Sequence, residues 1–268
     1  AHFAQARSRR HPSMKPFIYG ARNGVHIIDL QKTVPLCEEA CRFLIQIVAE
    51  GGEVLFVGTK RQAQALVEEE AKRCRMFYVN RRWLGGTLTN FKTIKASLDR
   101  LKDLEKKREE GGFDVLTKKE RLGIEREIAS FLQTMGGIKE MVRLPSVVFL
   151  VDVQKEEIAR RESNRIGIPV IGLADTNSDP RGIDYLIPAN DDAIKSIRLF
   201  CRLVAEACLE GLALRESGKR ERIAEEETDG GERREIVVGA RGHAYVSQPE
   251  GLEGPGDSQK AVPEKEGA

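Results

Sequence analysis

A chain of 268 residues with 40% hydrophobic content can bury a sizeable core as one large domain or two small ones. Its net charge of +2 conceals an asymmetry, because Ala1–Lys32 carries six Lys or Arg against one acid, whereas Glu216–Ala268 carries eight basic and thirteen acidic residues. No apolar run reaches the length of a membrane span, no signal-peptide hydrophobic region follows the basic start, and the five cysteines form no CxxC. Cys37 with Cys41, and Cys201 with Cys208, are spaced to share a helix face, so they read as small buried hydrophobes in a reducing compartment.

The chain opens with a basic arm, Arg7, Arg9, Arg10, Lys15 and Arg22, of a kind that suits a polyanion. Short apolar runs then read as buried parallel strands at His26–Leu30, Glu53–Gly58, Met76–Asn80, Ser146–Asp152 and Pro169–Asp175, with a weaker one at Tyr185–Pro188. Helical patterns fall between them at Val34–Glu50, with Pro35 suited to a first turn, and at Lys60–Cys74, Lys155–Ile166 and Asp191–Leu214. Strands alternating with helices imply a parallel α/β sheet with right-handed crossovers.

The segment Asn80–Thr93, NRRWLGGTLTNFKT, interrupts this alternation and carries the most chemistry. It places Arg81, Arg82 and Lys92 near the only tryptophan, Trp83, with no His, Cys or carboxylate to act as base, nucleophile or metal ligand. Arginine forks match phosphate, and an aromatic face can stack a base. The competing reading makes Trp83 a core residue and leaves the arginines on a solvated face. Two charged helices follow, Phe91–Glu110 and one from Thr117 to about Met135, the second opened by a Thr117–Glu120 capping box. They predict an αα-hairpin projecting from the sheet, closed by a seam of Ile94, Leu98 and Leu101 against Leu122, Ile128, Phe131 and Met135. Its charged surface suits either a salt-bridged spacer or a binding arm. Beyond Leu214 the composition predicts a disordered acidic tail, with Ile236–Val238 as a short apolar patch. The domain reading is therefore an α/β core at 1–90 and 141–214, a hairpin at 91–140 and a tail at 215–268.

Catalytic fingerprints are missing. GxGxxG follows no strand, and GxxxxGK[ST] and GxSxG do not occur. The turn Gly58-Thr59-Lys60-Arg61 could take one phosphate at a helix N-terminus. Asp175 and Asp191, in loops after the last strands, are candidate Mg²⁺ ligands, although such aspartates more often cap turns and helices, and Asp191 suits an N-cap. Together these two features define the alternative reading, a nucleotide- or Mg-dependent enzyme on a doubly wound sheet.

Several motifs in order resemble one family: KPFIYGARNGVHIIDLQKTV (Lys15–Val34), LFVGTKRQA (Leu55–Ala63), RWLGGTLTNFKT (Arg82–Thr93), GGIKEM (Gly136–Met141), LPSVVFLVD (Leu144–Asp152), GIPVIGLADTNSDP (Gly167–Pro180) and IPANDDAI (Ile187–Ile194). The chain is similar, roughly from Ala1 to Gly211, to the bacterial ribosomal protein S-two family of the small subunit. The resemblance implies a flavodoxin-like parallel sheet flanked by helices, with an inserted coiled-coil hairpin. It implies a non-enzymatic structural role that binds small-subunit ribosomal RNA beside neighbouring proteins and helps seat the mRNA-binding protein S-one, in a cytoplasmic or organellar ribosome. The chain departs from the family at His2-Phe3-Ala4-Gln5, where the family usually has His-Phe-Gly-His, and at Arg181, where an acid is common. On this reading the RNA contacts are Arg7, Arg9, Arg10, Lys15, Arg22, Lys60, Arg61, Arg81, Arg82 and Lys92, with no cofactor beyond a candidate Mg²⁺.

Overall fold

A computed structural model describes the backbone of residues 2–6, 10–113 and 116–231, and the side chains of the same residues except 5, 6 and those beyond 218. Arg7, Arg9 and the patch Ile236–Val238 lie outside the described residues.

The N-terminal residues form their own three-stranded antiparallel sheet in the order β1–β3–β2, from β1 (Phe3–Ala6), β2 (Ile18–Arg22) and β3 (Val25–Ile28). This corrects the expectation that His26–Leu30 is a parallel strand of the main sheet. Asn23 and Gly24 both have positive φ, 52° and 78°, and Arg22 pairs with Val25 across them. An Asn-Gly pair in this conformation makes a two-residue hairpin turn whose twist matches the strands it joins, so β3 pairs with β2 and not with a strand of the parallel sheet.

The main sheet is parallel and follows the order β5–β4–β6–β7–β8, with β4 at Val54–Val57, β5 at Phe77–Val79, β6 at Val147–Val151, β7 at Val170–Ala174 and β8 at Tyr185–Pro188. In sequence terms this is the 2-1-3-4-5 order of flavodoxin-like folds. Strands β4, β6 and β7 are buried at every position, which explains their unbroken apolar runs. Their side chains alternate between two cores. Phe56, Phe149 and Ile171 pack with α1 (Leu30–Ala49), α2 (Gln64–Arg73) and α6 (Ile194–Gly231). Leu55, Val57, Val148 and Leu150 pack on the other face with Ala159 of α5 (Glu157–Ile166), Trp83, Leu88, Ile138 and Met14.

Some boundaries move for local reasons. Asp29 caps α1 by accepting from the Gln31 N–H, so the helix begins at Leu30 and Pro35 falls inside it rather than in its first turn. α6 runs on to Gly231, past the Leu214 end expected from its apolar stripe, because Arg, Glu, Lys and Ala sustain helix without an apolar face. Among the described residues, no helix is long and apolar enough to cross a membrane.

The hairpin consists of α3 (Phe91–Glu109) and α4 (Lys118–Met135), and the Thr117–Glu120 capping box is formed in both directions. Its seam differs from expectation at one end. Leu122 is 45% exposed, and the distal cluster is Leu101, Phe113 and Ile128, flanked by Leu104, Leu116, Ile124 and Phe131. The loop residue Phe113 folds back and supplies the contact expected of Leu122. Leu98 and Met135 belong instead to the main core beside Trp83, so the proximal half of the hairpin is rooted in the sheet. Arg100 pairs with Glu127 at 2.7 Å and Lys102 with Glu140 at 2.9 Å, the ionic ties of a salt-bridged spacer.

Candidate nucleic-acid interface

In a parallel sheet every strand delivers its following loop to the same edge, so the loops after β4 through β8 converge there. Lys60 and Arg61 follow β4, Arg81 and Arg82 follow β5, and Asp152, Lys155 and Glu156 follow β6. Asp175, Asp179 and Arg181 follow β7, and Asp191 and Asp192 follow β8. The basic arm reaches this edge as well. The His11 N–H donates to the Thr176 carbonyl at 2.8 Å, and fully buried Met14 anchors the turn behind it, leaving Arg10 exposed.

The strand order reverses between β4 and β6, where doubly wound sheets open a ligand crevice. Here the crevice is filled from within. Lys60 Nζ lies 2.9 Å from Asp152 Oδ2 and 3.0 Å from Asp191 Oδ1, contacts Asp192, and donates to the Asp191 carbonyl at 2.9 Å. Its side chain is only 13% exposed. The backbone N–H and hydroxyl of Thr59 both donate to Glu156 Oε1 at 2.7 Å. A carboxylate thus takes the donors that a bound phosphate would use, and an ammonium takes the place of a cation. Burial opposes the charge on Lys60, but Asp192, Asp191 and Asp152 outweigh it and raise its pKa. Burial, reinforced by Asp152 and Asp175, pushes Asp191 up to about 7 against the pull of Lys60. Burial likewise raises Glu156.

Two expectations change as a result. Lys60, read as an RNA contact, points inward and is neutralised by three carboxylates. Asp191, read as a helix cap, faces Lys60, while Asn190 Oδ1 accepts from the N–H groups of Asp192 and Ala193. Carboxylate oxygens of Asp175, Asp191 and Asp192 do lie within 4.8 Å of one another, and Asp191 Oδ2 is buried without a hydrogen-bond partner. The spacing suits a small oxygen-seeking cation, but the Lys60 ammonium already answers this charge.

The loop after β5 is built the other way round. Glu162 of α5 is buried, and its carboxylate gathers the loop's donors. Oε1 accepts from Trp83 Nε1 at 3.1 Å and the Gly86 N–H at 2.8 Å; Oε2 accepts from the Leu88 N–H at 3.0 Å and the N–H and hydroxyl of Thr89 at 3.1 Å. Gly86 turns the chain with φ 89°, a conformation strained for any residue with a Cβ. Burial alone would raise the Glu162 pKa, but the indole and backbone N–H groups outweigh it and lower it. Trp83 is 7% exposed and its N–H is engaged, so it is a core residue and not a stacking platform. Pinned from inside, the loop turns Arg81 and Arg82 to solvent.

Arg10, Lys15, Arg22, Arg61, Arg82 and Lys92 are all exposed and form no ion pair among the described residues. Among the described residues the Arg81 guanidinium donates to Gln64 Oε1 at 3.2 Å, and the ammonium of exposed Lys155 to the Thr59 carbonyl, also at 3.2 Å. Arg181 is exposed but held by Asp179, whose carboxyl it lowers to about 2. The structure brings Arg10, Arg61, Arg81 and Arg82 to the carboxyl edge. Lys15 and Arg22 stand on the N-terminal turn and sheet, and Lys92 on the first turn of α3.

Sequence reasoning missed Lys155 and Glu162. The signal for Glu162 was its phase, since Ala159, Glu162, Ser163 and Ile166 share one helix face and the first three are buried. Lys155 had a positional signal, a cation four residues past the buried end of β6, much as Lys60 stands three past that of β4.

A family model described as ribosomal protein S2 matches residues 1–211. The chain is 50% identical over 237 residues to the small ribosomal subunit protein uS2 of Dinoroseobacter shibae, covering 84% of this chain and 91% of the relative. It is 52% identical over 226 residues to the protein of the same name from Desulfovibrio desulfuricans, covering 84% and 88%. It is 51% identical over 210 residues to that from Dehalococcoides mccartyi, covering 78% and 86%.

Proposed function

This chain belongs to the ribosomal protein S2 family, structural proteins of the small ribosomal subunit and not enzymes, and from that premise we propose that it binds small-subunit ribosomal RNA through the carboxyl edge of its parallel sheet. The observation that carries the reading is the set of exposed cations whose side chains form no salt bridge among the described residues, Arg10, Arg61, Arg81, Arg82 and Lys155, gathered at one edge. Arginine forks and lysine ammonium groups there neutralise phosphates and release counterions, so affinity falls steeply with salt. Lys15, Arg22 and Lys92 extend the footprint along the N-terminal sheet and the root of the hairpin, and Arg7 and Arg9, outside the described residues, are further contacts proposed from the sequence alone. The Gly58–Arg61 turn and the aspartates do not support the enzyme alternative, because Glu156 and Lys60 already occupy the positions a nucleotide and its metal would need.

The β8 end of the same edge has different chemistry. Exposed Phe3, Leu30, Val34 and Ile194 lie in the segments tied here, where Asn190 donates to the Phe3 carbonyl and the Thr33 hydroxyl to the Pro188 carbonyl at 2.6 Å. This apolar surface supports contact with neighbouring small-subunit proteins and the seating of the mRNA-binding protein S-one, in a bacterial or organellar ribosome. The test is reconstitution of small subunits lacking this protein. Adding the chain should restore a footprint on the ribosomal RNA and raise S-one content. A chain that leaves the RNA footprint unchanged would refute the RNA reading, and unchanged S-one content would refute the seating.

A further inference from the structure

Beside the filled crevice lies an open cleft of about 240 Å³, walled by Thr59, Arg81, Arg82 and Lys155, with Trp83 and Ile158 on its apolar side. We propose that this cleft takes one unstacked nucleotide of single-stranded RNA, its base against Ile158 and its phosphate against Arg82 and Lys155. The inference rests on the RNA-binding reading above and adds to it a form of RNA and a place for one base. Three observations lead to it.

The cations come first. Arg81 and Arg82 enter from the loop after β5 and Lys155 from the loop after β6, so positive charge borders the opening from two sides. The single acid on the wall, Glu156, is buried, and its Oε1 is engaged by both donors of Thr59, so it does not line the open mouth of the cleft. The second observation is Ile158, which is 56% exposed in the first turn of α5 although the other face of that helix is packed. An exposed branched aliphatic beside three cations offers an apolar surface to the face of a base. The third is size. The volume falls below the roughly 300–1,000 Å³ of small-molecule sites, and a concave opening of this scale excludes a double helix. It admits a single splayed base, the form in which proteins read RNA loops and bulges.

Trp83 is the only tryptophan in the chain and borders the cleft, so its fluorescence reports occupancy. The experiment titrates the full chain with single-stranded oligoadenylate and, separately, with an RNA duplex of equal length, while filter binding measures total affinity. Single strand should quench Trp83 and duplex should not. Ile158→Glu and Lys155→Glu should each abolish the quench and weaken single-strand binding by about tenfold, with an unchanged melting temperature because both side chains are exposed. Arg22→Ala should lower total affinity and leave the quench amplitude intact. RNA binding without a quench, or a quench retained in both cleft variants, would overturn the cleft while leaving the RNA reading in place. Absence of binding to either RNA at low salt would overturn both.

Discussion

The loops after β4 and β5 lie side by side at one sheet edge, each with a pair of cations, Lys60–Arg61 and Arg81–Arg82. After β4 the first cation turns inward, because Asp152, Asp191 and Asp192 are placed to receive it. After β5 a carboxylate is the buried partner, and Glu162 spends its lone pairs on backbone and indole N–H groups rather than on arginine. Two neighbouring loops thus use opposite charges as their internal anchor. A basic residue at a strand end is free to meet an outside anion only where the interior offers it no counter-charge.

Replacing each anchor should break this contrast most severely. Lys60→Met leaves three carboxylates facing one another at the crevice and should cost about 3–5 kcal/mol at neutral pH. The loss should shrink in acid, where Asp191, which burial pushes up to about 7, takes a proton, and denaturant melts at pH 5 and pH 8 would check both points. Glu162→Gln removes the anion but keeps the shape, and its amide N–H groups confront donors on the loop. It should cost about 2–3 kcal/mol, with hydrogen exchange accelerating first at Gly86, Leu88 and Thr89. Retained protection there would mean that packing around Trp83, and not the carboxylate, orders the loop.

A smaller effect follows from pH alone. The Glu162 pKa is lowered in the fold, so its contribution to stability is fully present above the ordinary glutamate value of 4.5 and is lost as pH falls through the lower folded value. The protection factors of the loop amides, taken against the intrinsic exchange rate at each pH, should therefore fall on acidification below that point in wild type, with no such step in Glu162→Gln. The smallest stability effect belongs to the outward cations. Arg82→Ala should shift stability by no more than about 0.5 kcal/mol, and a larger loss would show that Arg82 carries structure as Lys60 does.

The same contrast explains what the sequence could and could not reveal. The runs VLFV, VVFLV and VIGLA announced buried parallel strands because burial on both faces demands unbroken apolar residues. The capping box of α4 was legible because it needs only Thr117 and Glu120, three residues apart. The antiparallel N-terminal sheet was also written locally, in Asn23-Gly24, but a buried-looking His26–Ile28 obscured it. The direction in which Lys60 and Arg82 point was not local. It depends on carboxylates 92 and 131 residues away from Lys60, and on a glutamate 79 residues from Trp83, brought near only by the sheet order. The exchange of Leu122 for Phe113 in the hairpin has the same character, since a turn conformation decides which apolar side chain closes the seam.

The most direct test of the account is the salt dependence of binding to small-subunit ribosomal RNA, compared between Arg81→Ala/Arg82→Ala and a Lys60 variant folded at the assay temperature. Each lost phosphate contact should lower the slope of log affinity against log salt by about one unit. The account predicts a fall of about two for the double arginine variant and none for the Lys60 variant. An unchanged slope on losing both arginines, or a drop of one on losing Lys60, would contradict it.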